Sequence, residues 1–122
     1  MLGIIGAMDE EVAMIKAQLT DVQVETRAAM DFYKGKLEGK EVVVVRSGIG
    51  KVNAAMCTQI LADIYGVTGV VNTGIAGSLK AEIDIGDIVL SSDAVQHDMD
   101  ATGFGYEPGQ IPRVETLAFK AD

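Results

Sequence analysis

The chain opens on an apolar run, Leu2-Gly3-Ile4-Ile5-Gly6-Ala7, that gives way after Met8 to three consecutive carboxylates, Asp9, Glu10 and Glu11. A short apolar run predicts a buried strand, and Met8, Val12, Ile15 and Leu19 recur at helical spacing. That spacing predicts a helix over 9–19 that lays one apolar stripe on a sheet. Asp9 is a favoured residue type for capping it, and acids in the first turn suit the helix dipole. Residues 22–29 and 32–37 have strand character, and Glu38-Gly39-Lys40 supplies a tight turn into a strand over 41–46, which makes an antiparallel insert. The uniform run Val42-Val43-Val44-Val45 predicts a central strand covered on both faces.

A second helix is expected to begin from Ser47-Gly48-Ile49-Gly50, with Val52, Met56, Ile60 and Ile64 as its buried stripe and Gly66 as its stop. A strand over 67–71 and a Gly-rich loop, Asn72 to Ser78, come next. The pattern then predicts a turn into a strand over 83–90, continuing towards Val95, and a further short element within 116–120. Strands alternating with helices imply an α/β fold of three layers, α/β/α, with a mixed central sheet. With no internal repeat, linker or low-complexity tract, residues 1–122 are expected to belong to one domain.

Composition narrows the partners. A chain of 122 residues with 48% hydrophobic content and two prolines can build a packed core. Its net charge of −8 disfavours nucleic acid and anionic membranes, which need clustered Lys and Arg. The single cysteine, Cys57, cannot form an internal disulfide and is expected to fill the core. No basic segment precedes an apolar one at the start, and no run reaches the roughly 18 apolar residues of a membrane span. A cytoplasmic location is expected.

The chemistry begins with the acids. In an α/β sheet, ligands gather at the carboxyl ends of strands, where Asp9, Glu10 and Glu11 are expected to lie, so a carboxylate there is a candidate for acid/base work. Further Gly-rich turns follow at Ser47-Gly48-Ile49-Gly50-Lys51, at Asn72-Thr73-Gly74-Ile75-Ala76-Gly77-Ser78 and at Gly103-Phe104-Gly105-Tyr106-Glu107-Pro108-Gly109. Gly50-Lys51 is no phosphate loop, because Val45 and Val52 stand where that motif needs Gly and Ser or Thr. Only Gly3 and Gly6 of a dinucleotide fingerprint occur, beside acids that would repel a pyrophosphate. His97 is the chain's one histidine and has no second ligand group at metal spacing, so no metal site is expected. Serine-based acyl transfer has no GxSxG elbow to rest on.

Taken in order, Gly-Ile-Ile-Gly-Ala-Met-Asp-Glu-Glu-Val (3–12), Ser-Gly-Ile-Gly-Lys-Val-Asn-Ala-Ala (47–55), Asn-Thr-Gly-Ile-Ala-Gly-Ser-Leu (72–79), Gly-Asp-Ile-Val (86–89) and Phe-Gly-Tyr-Glu-Pro-Gly-Gln-Ile-Pro (104–112) resemble the bacterial 5′-methylthioadenosine/S-adenosylhomocysteine nucleosidases, within the nucleoside phosphorylase superfamily. The resemblance spans the whole chain but only about the first half of such an enzyme, which implies a fold incomplete at its C-terminal end. It implies hydrolysis of the N-glycosidic bond of methylthioadenosine or adenosylhomocysteine to adenine and a 5-thio-ribose, as in methionine salvage, by a homodimer without metal or organic cofactor. Glu11 would be the catalytic carboxylate that orients and deprotonates the attacking water, a task suited to an ionised acid facing a departing base. Met8 would border the ribose, Ile49 would pack on the 5′-thio group, and Gly74, Ile75, Ala76 and Gly77 would line sugar and base. Phe104 and Pro112 would reach across to the neighbouring subunit's pocket. Without the family likeness, Ile49 reads as core packing and Phe104 as a loop anchor.

Two departures from the family pattern bear on activity. Many relatives carry Ser where this chain has Ile75, so the water loses one partner. The family's general acid and ribose-binding Glu lie beyond Asp122, so the 122-residue chain alone is expected to be inactive. Two other readings compete. A phosphorylase of the same superfamily would need cations near the first Gly turn, where Asp9, Glu10 and Glu11 stand instead. A non-catalytic nucleoside-binding or assembly module would account for the missing half.

Overall fold

A computed structural model describes residues 1–122 as two compact units, Met1–Gly77 and Ser78–Asp122. The first unit holds a mixed sheet of five strands in the order β2-β3-β4-β1-β5. These are β1 Leu2–Gly6, β2 Thr20–Arg27, β3 Met30–Leu37, β4 Lys40–Arg46 and β5 Gly69–Asn72. Strands β4, β1 and β5 run parallel, with Ile4 opposite Val44 on one side and Val71 on the other. Strands β2 and β3 add an antiparallel extension beside β4, as the sequence pattern predicts.

Strand β4 lies inside the sheet, and alternation sends Val42 and Val44 to one face and Val43 and Val45 to the other. All four are buried. Helix α1, Asp9–Ala17, packs Val12 and Ile15 on the face formed by Ile4, Val42 and Val44. Helix α2, Lys51–Asp63, packs Cys57 and Leu61 on the opposite face, against Ile5, Phe32, Val43 and Val45. Helices on both faces give the expected three layers.

Several local expectations change. The residue capping α1 is Met8; Asp9 is already helical, and its exposed carboxylate sits 3.5 Å from Arg46 Nε and 3.8 Å from Lys16 Nζ. Of the expected Val52-Met56-Ile60-Ile64 stripe on α2, only Ile60 packs against the core. Val52 is 81% exposed and Ile64 54%, while Cys57 and Leu61 are fully buried. Strand β5 starts at Gly69 rather than 67, after Gly66 has turned the chain with a φ of 62°. The β2–β3 hairpin turns on Ala28 and Ala29, with φ of 49° and 60°, so β2 ends before the predicted residue 29.

The second unit is mostly irregular. It contains a two-residue ladder between β6, Asp93–Ala94, and β7, Phe119–Lys120, and a single 3₁₀ turn, Thr102–Phe104. The strand predicted over 83–90 does not form, and of its continuation towards Val95 only Asp93–Ala94 is extended and paired. Ile85, Ile88 and Leu90 are exposed, with no ladder partner. A strand gains stability from its neighbours and not from its own backbone, so apolar alternation without a partner strand leaves loop. Within this unit, Gly109 N–H donates to Met99 O at 2.8 Å and Ala121 N–H to Ser92 O at 2.9 Å.

Candidate active site

Because β4, β1 and β5 are parallel neighbours, the turns that leave them share the carboxyl edge of the sheet. The three turns carry Met8 and Glu11 after β1, Ile49 after β4, and residues 73–77 after β5. Hydrogen bonds lock these exits together. Ser47 N–H donates to Gly6 O at 2.9 Å, and Thr73 N–H donates to Ile5 O at 2.8 Å, carrying each parallel ladder one residue past its strand. Ser47 is itself buried, and its hydroxyl donates to Gly48 O at 2.9 Å.

Glu11 occupies the middle of this edge. It sits in the first turn of α1 with its side chain folded back over the elbow, where Oε2 accepts the Ala7 N–H at 2.7 Å and the Met8 N–H at 3.0 Å. The bond to the residue preceding the helix is half of a capping box and satisfies an amide the helix cannot. Oε1 accepts the Ile75 N–H at 3.2 Å, from a loop that lies 64 residues further along the chain. The Met8 N–H most strongly, then the Ile75 N–H, hold this carboxyl below the usual carboxylate range; desolvation opposes each by less, and the Ala7 N–H adds the smallest lowering. Glu11 is therefore ionised at neutral pH. Oε2 has both its acceptor directions filled, whereas Oε1 has one left, so Oε1 is the atom able to take a proton from a water.

The other expected site residues sort by unit. Met8, Glu11 and Ile75 come together around the Glu11 carboxylate, but Ile75 does so through its backbone, its side chain being 86% exposed. Ala76 and Gly77 follow on the same exposed loop. Ile49, 74% exposed, stands on the adjacent turn and fills no core. Phe104 and Pro112 belong to the second unit, both exposed, and Phe104 at 87% exposure anchors no loop. His97 lies exposed in a turn.

Sequence reasoning placed Gly74 in the loop lining sugar and base, but did not single out the backbone donors or the way Gly6 and Gly74 let the elements close on Glu11. A Cβ on Gly6 would stand 2.7 Å from Val12 Cγ1 and 3.0 Å from Glu11 Cβ, and one on Gly74 would stand 2.7 Å from Glu11 Cδ. The signal available was a glycine at the carboxyl end of an apolar strand on either side of an acid.

Comparison with known proteins agrees with this geometry. The model of the phosphorylase superfamily matches residues 1–122. A 5′-methylthioadenosine/S-adenosylhomocysteine nucleosidase of Staphylococcus haemolyticus is 51% identical over 122 residues, all of this chain and 53% of the relative. One from a Marinomonas species is 52% identical over 114 residues, 93% of this chain and 49% of the relative. Among solved structures, the Colwellia psychrerythraea nucleosidase in complex with adenine aligns with a TM-score of 0.94 at 51% identity, over 98% of this chain and 49% of that one. A Streptococcus pneumoniae nucleosidase with a transition-state inhibitor aligns with a TM-score of 0.93 at 40% identity, over 99% of this chain and 52% of that one. The chain spans about half the length of the curated relatives it matches. With its mixed sheet, its covering helices and an ionised glutamate at the carboxyl edge, the chain belongs to the phosphorylase superfamily, and within it is similar to the methylthioadenosine/adenosylhomocysteine nucleosidases.

Proposed function

We propose that this chain supplies the water-activating part of a nucleosidase site that hydrolyses the N-glycosidic bond of methylthioadenosine or adenosylhomocysteine, releasing adenine and a 5-thio-ribose. The observation that carries the reading is Glu11, ionised, held by three backbone N–H groups and left with one open acceptor direction on Oε1. As the bond to adenine lengthens, the sugar gains oxocarbenium character and a water must attack the anomeric carbon. A fixed carboxylate takes the water's proton as the new C–O bond forms. Met8 borders the ribose, residues 74–77 line sugar and base with little side-chain bulk, and Ile49 offers an apolar surface to the thioether.

In the proposed assembly, residues 1–122 are part of one nucleosidase domain that works as a cytoplasmic homodimer in methionine salvage, with Phe104 and Pro112 reaching the neighbouring subunit's pocket. The exposed apolar stripe of α2, Val52 with Met56 and Ile64, supports a second copy, since such stripes are normally covered. Hydrolysis is favoured over phosphorolysis by Glu10 and Glu11 in the first turn of α1, which would repel inorganic phosphate, Arg46 beside them being paired with Asp9.

The test is a hybrid polypeptide in which this chain replaces the matched residues of the Staphylococcus haemolyticus relative, assayed for adenine release from methylthioadenosine. Turnover is expected, unchanged by added phosphate. Glu11→Gln should lower it by about 10²–10⁴-fold, the usual worth of a general base, while nucleoside binding persists. Equal turnover with Glu11→Gln refutes the role of Glu11, and dependence on phosphate refutes hydrolysis.

A further inference from the structure

We infer that Gly74 is a positioning residue for Glu11: its missing side chain lets the loop after β5 lie against the carboxylate and present the Ile75 N–H to Oε1. The inference rests on the reading of Glu11 as the base, and adds the residue that sets its state from the far side of the sheet edge.

The geometry is specific. A Cβ at position 74 would collide with Glu11 Oε1, stand 2.7 Å from Cδ and lie 3.1 Å from Oε2. Gly74 does not have a positive φ, so alanine fits the local backbone, and the three atoms nearest its Cβ would all belong to Glu11. Collision with the end of a flexible side chain is ordinarily cheap, because the side chain swings away. Here Oε2 is held at 2.7 and 3.0 Å by two elbow amides, whereas the loop is held to Oε1 by one bond of 3.2 Å. The longest of the three, and the one whose donor lies outside the elbow, yields first. Thr73, one residue earlier, is bonded to Ile5 O at 2.8 Å, so the strand end stays put and the adjustment falls on residues 74 and 75. Any side chain at 74 therefore costs Glu11 its donor from the loop after β5 while sparing the fold.

The Ile75 side chain plays no part in this link, being exposed. The chain reaches its base through the backbone at this position, and the side chain there is free to vary without disturbing the ionisation of Glu11.

The experiment is a pH titration of the ¹⁵N-labelled 122-residue chain, following the Ala7, Met8 and Ile75 amides by NMR. In the unmodified chain all three are expected to shift with one common midpoint, below the ordinary carboxylate value. In Gly74→Ala, Ala7 and Met8 should still follow Glu11, with the midpoint moved up, while Ile75 stops responding. Ile75→Ser should titrate like the unmodified chain. Ile75 still tracking Glu11 with an unmoved midpoint in Gly74→Ala overturns the inference, as does loss of the link in Ile75→Ser. If Gly74→Ala does not fold, Glu11→Gln decides: the Ile75 amide must then lose its acid titration, and persistence overturns the link. None of these readouts needs turnover. Hydrolysis failing in the hybrid while the three amides share a midpoint defeats the nucleosidase reading only, and hydrolysis with a silent Ile75 amide defeats the role of Gly74 only.

Discussion

Adding one methyl group at the end of β1 tests how tightly the fold sets the position of Glu11. Gly6 is buried, and a Cβ there would stand 2.7 Å from Val12 Cγ1 and 3.0 Å from Glu11 Cβ. Carbon atoms rest about 3.5–4.0 Å apart, so relief requires α1 to retreat by about 1 Å. Val12 cannot recoil alone, because it is fully buried against Ile4, Val42 and Val44. Overpacking of this kind costs about 1–3 kcal/mol. Alanine returns roughly 0.4–1 kcal/mol by restricting the unfolded chain, since the strand backbone suits it. Gly6→Ala is therefore expected to destabilise the first unit by about 1–2 kcal/mol, a fall in melting temperature of roughly 4–16 °C for a unit of this size. Urea and thermal unfolding measure it, with Gly103→Ala as the control, since nothing lies within 4 Å of a Cβ there and its φ is not positive. The Met8 amide should also shift, because the helix start carries it. Gly6→Ala as stable as the control would refute the claim that α1 leaves no room for a methyl group at Gly6.

Three further outcomes follow from the same coordinates. Replacing Ala28-Ala29 by Asn-Gly puts favoured residues in a two-residue turn whose φ angles are both positive, and should stabilise the hairpin by about 1–2 kcal/mol, read from urea unfolding; no gain would mean the turn is not strained. Burial pushes the Cys57 thiol up to about 11, so alkylation at pH 8 should be slow in the folded chain and fast in urea, and native reactivity like that of a free thiol would contradict the packing of α2. The Glu11 carboxyl is held below its unfolded value, so its ionised form stabilises the fold above about pH 4.3, and that contribution fades as pH falls through the lower folded value. The stability gap between the unmodified chain and Glu11→Gln should accordingly narrow in acid, and a gap that widens there would reverse the sign of the argument.

How much of the site was legible can be judged from particular residues. The three acids after an apolar strand located the candidate site, because a strand that ends in a helix start always delivers its next residues to the carboxyl edge. Residue type and spacing did not say which of the three acids matters; only the family resemblance pointed to Glu11. Asp9 is the better capping type, yet Met8 takes the cap position and Asp9 pairs with Arg46 and Lys16, while Glu11 folds back onto the elbow. The preference of a residue type is local, and the choice among neighbouring acids depends on the path of the backbone around them.

The pattern of apolar and polar positions by itself determined the mixed sheet with its antiparallel extension, the two helices and the edge that carries the candidate site, because 2-residue and 3.6-residue periods are properties of the chain alone. Only the tertiary structure decided which face of α2 is buried, since Val52-Met56-Ile60-Ile64 and Cys57-Leu61 are overlapping stripes on one helix and the sheet selects between them. It also decided that residues 83–90 stay unpaired and that the Ile75 amide meets Glu11 across 64 positions of sequence. Partner strands and long-range amide contacts depend on which segments the fold brings side by side, and no periodicity within a segment carries that information.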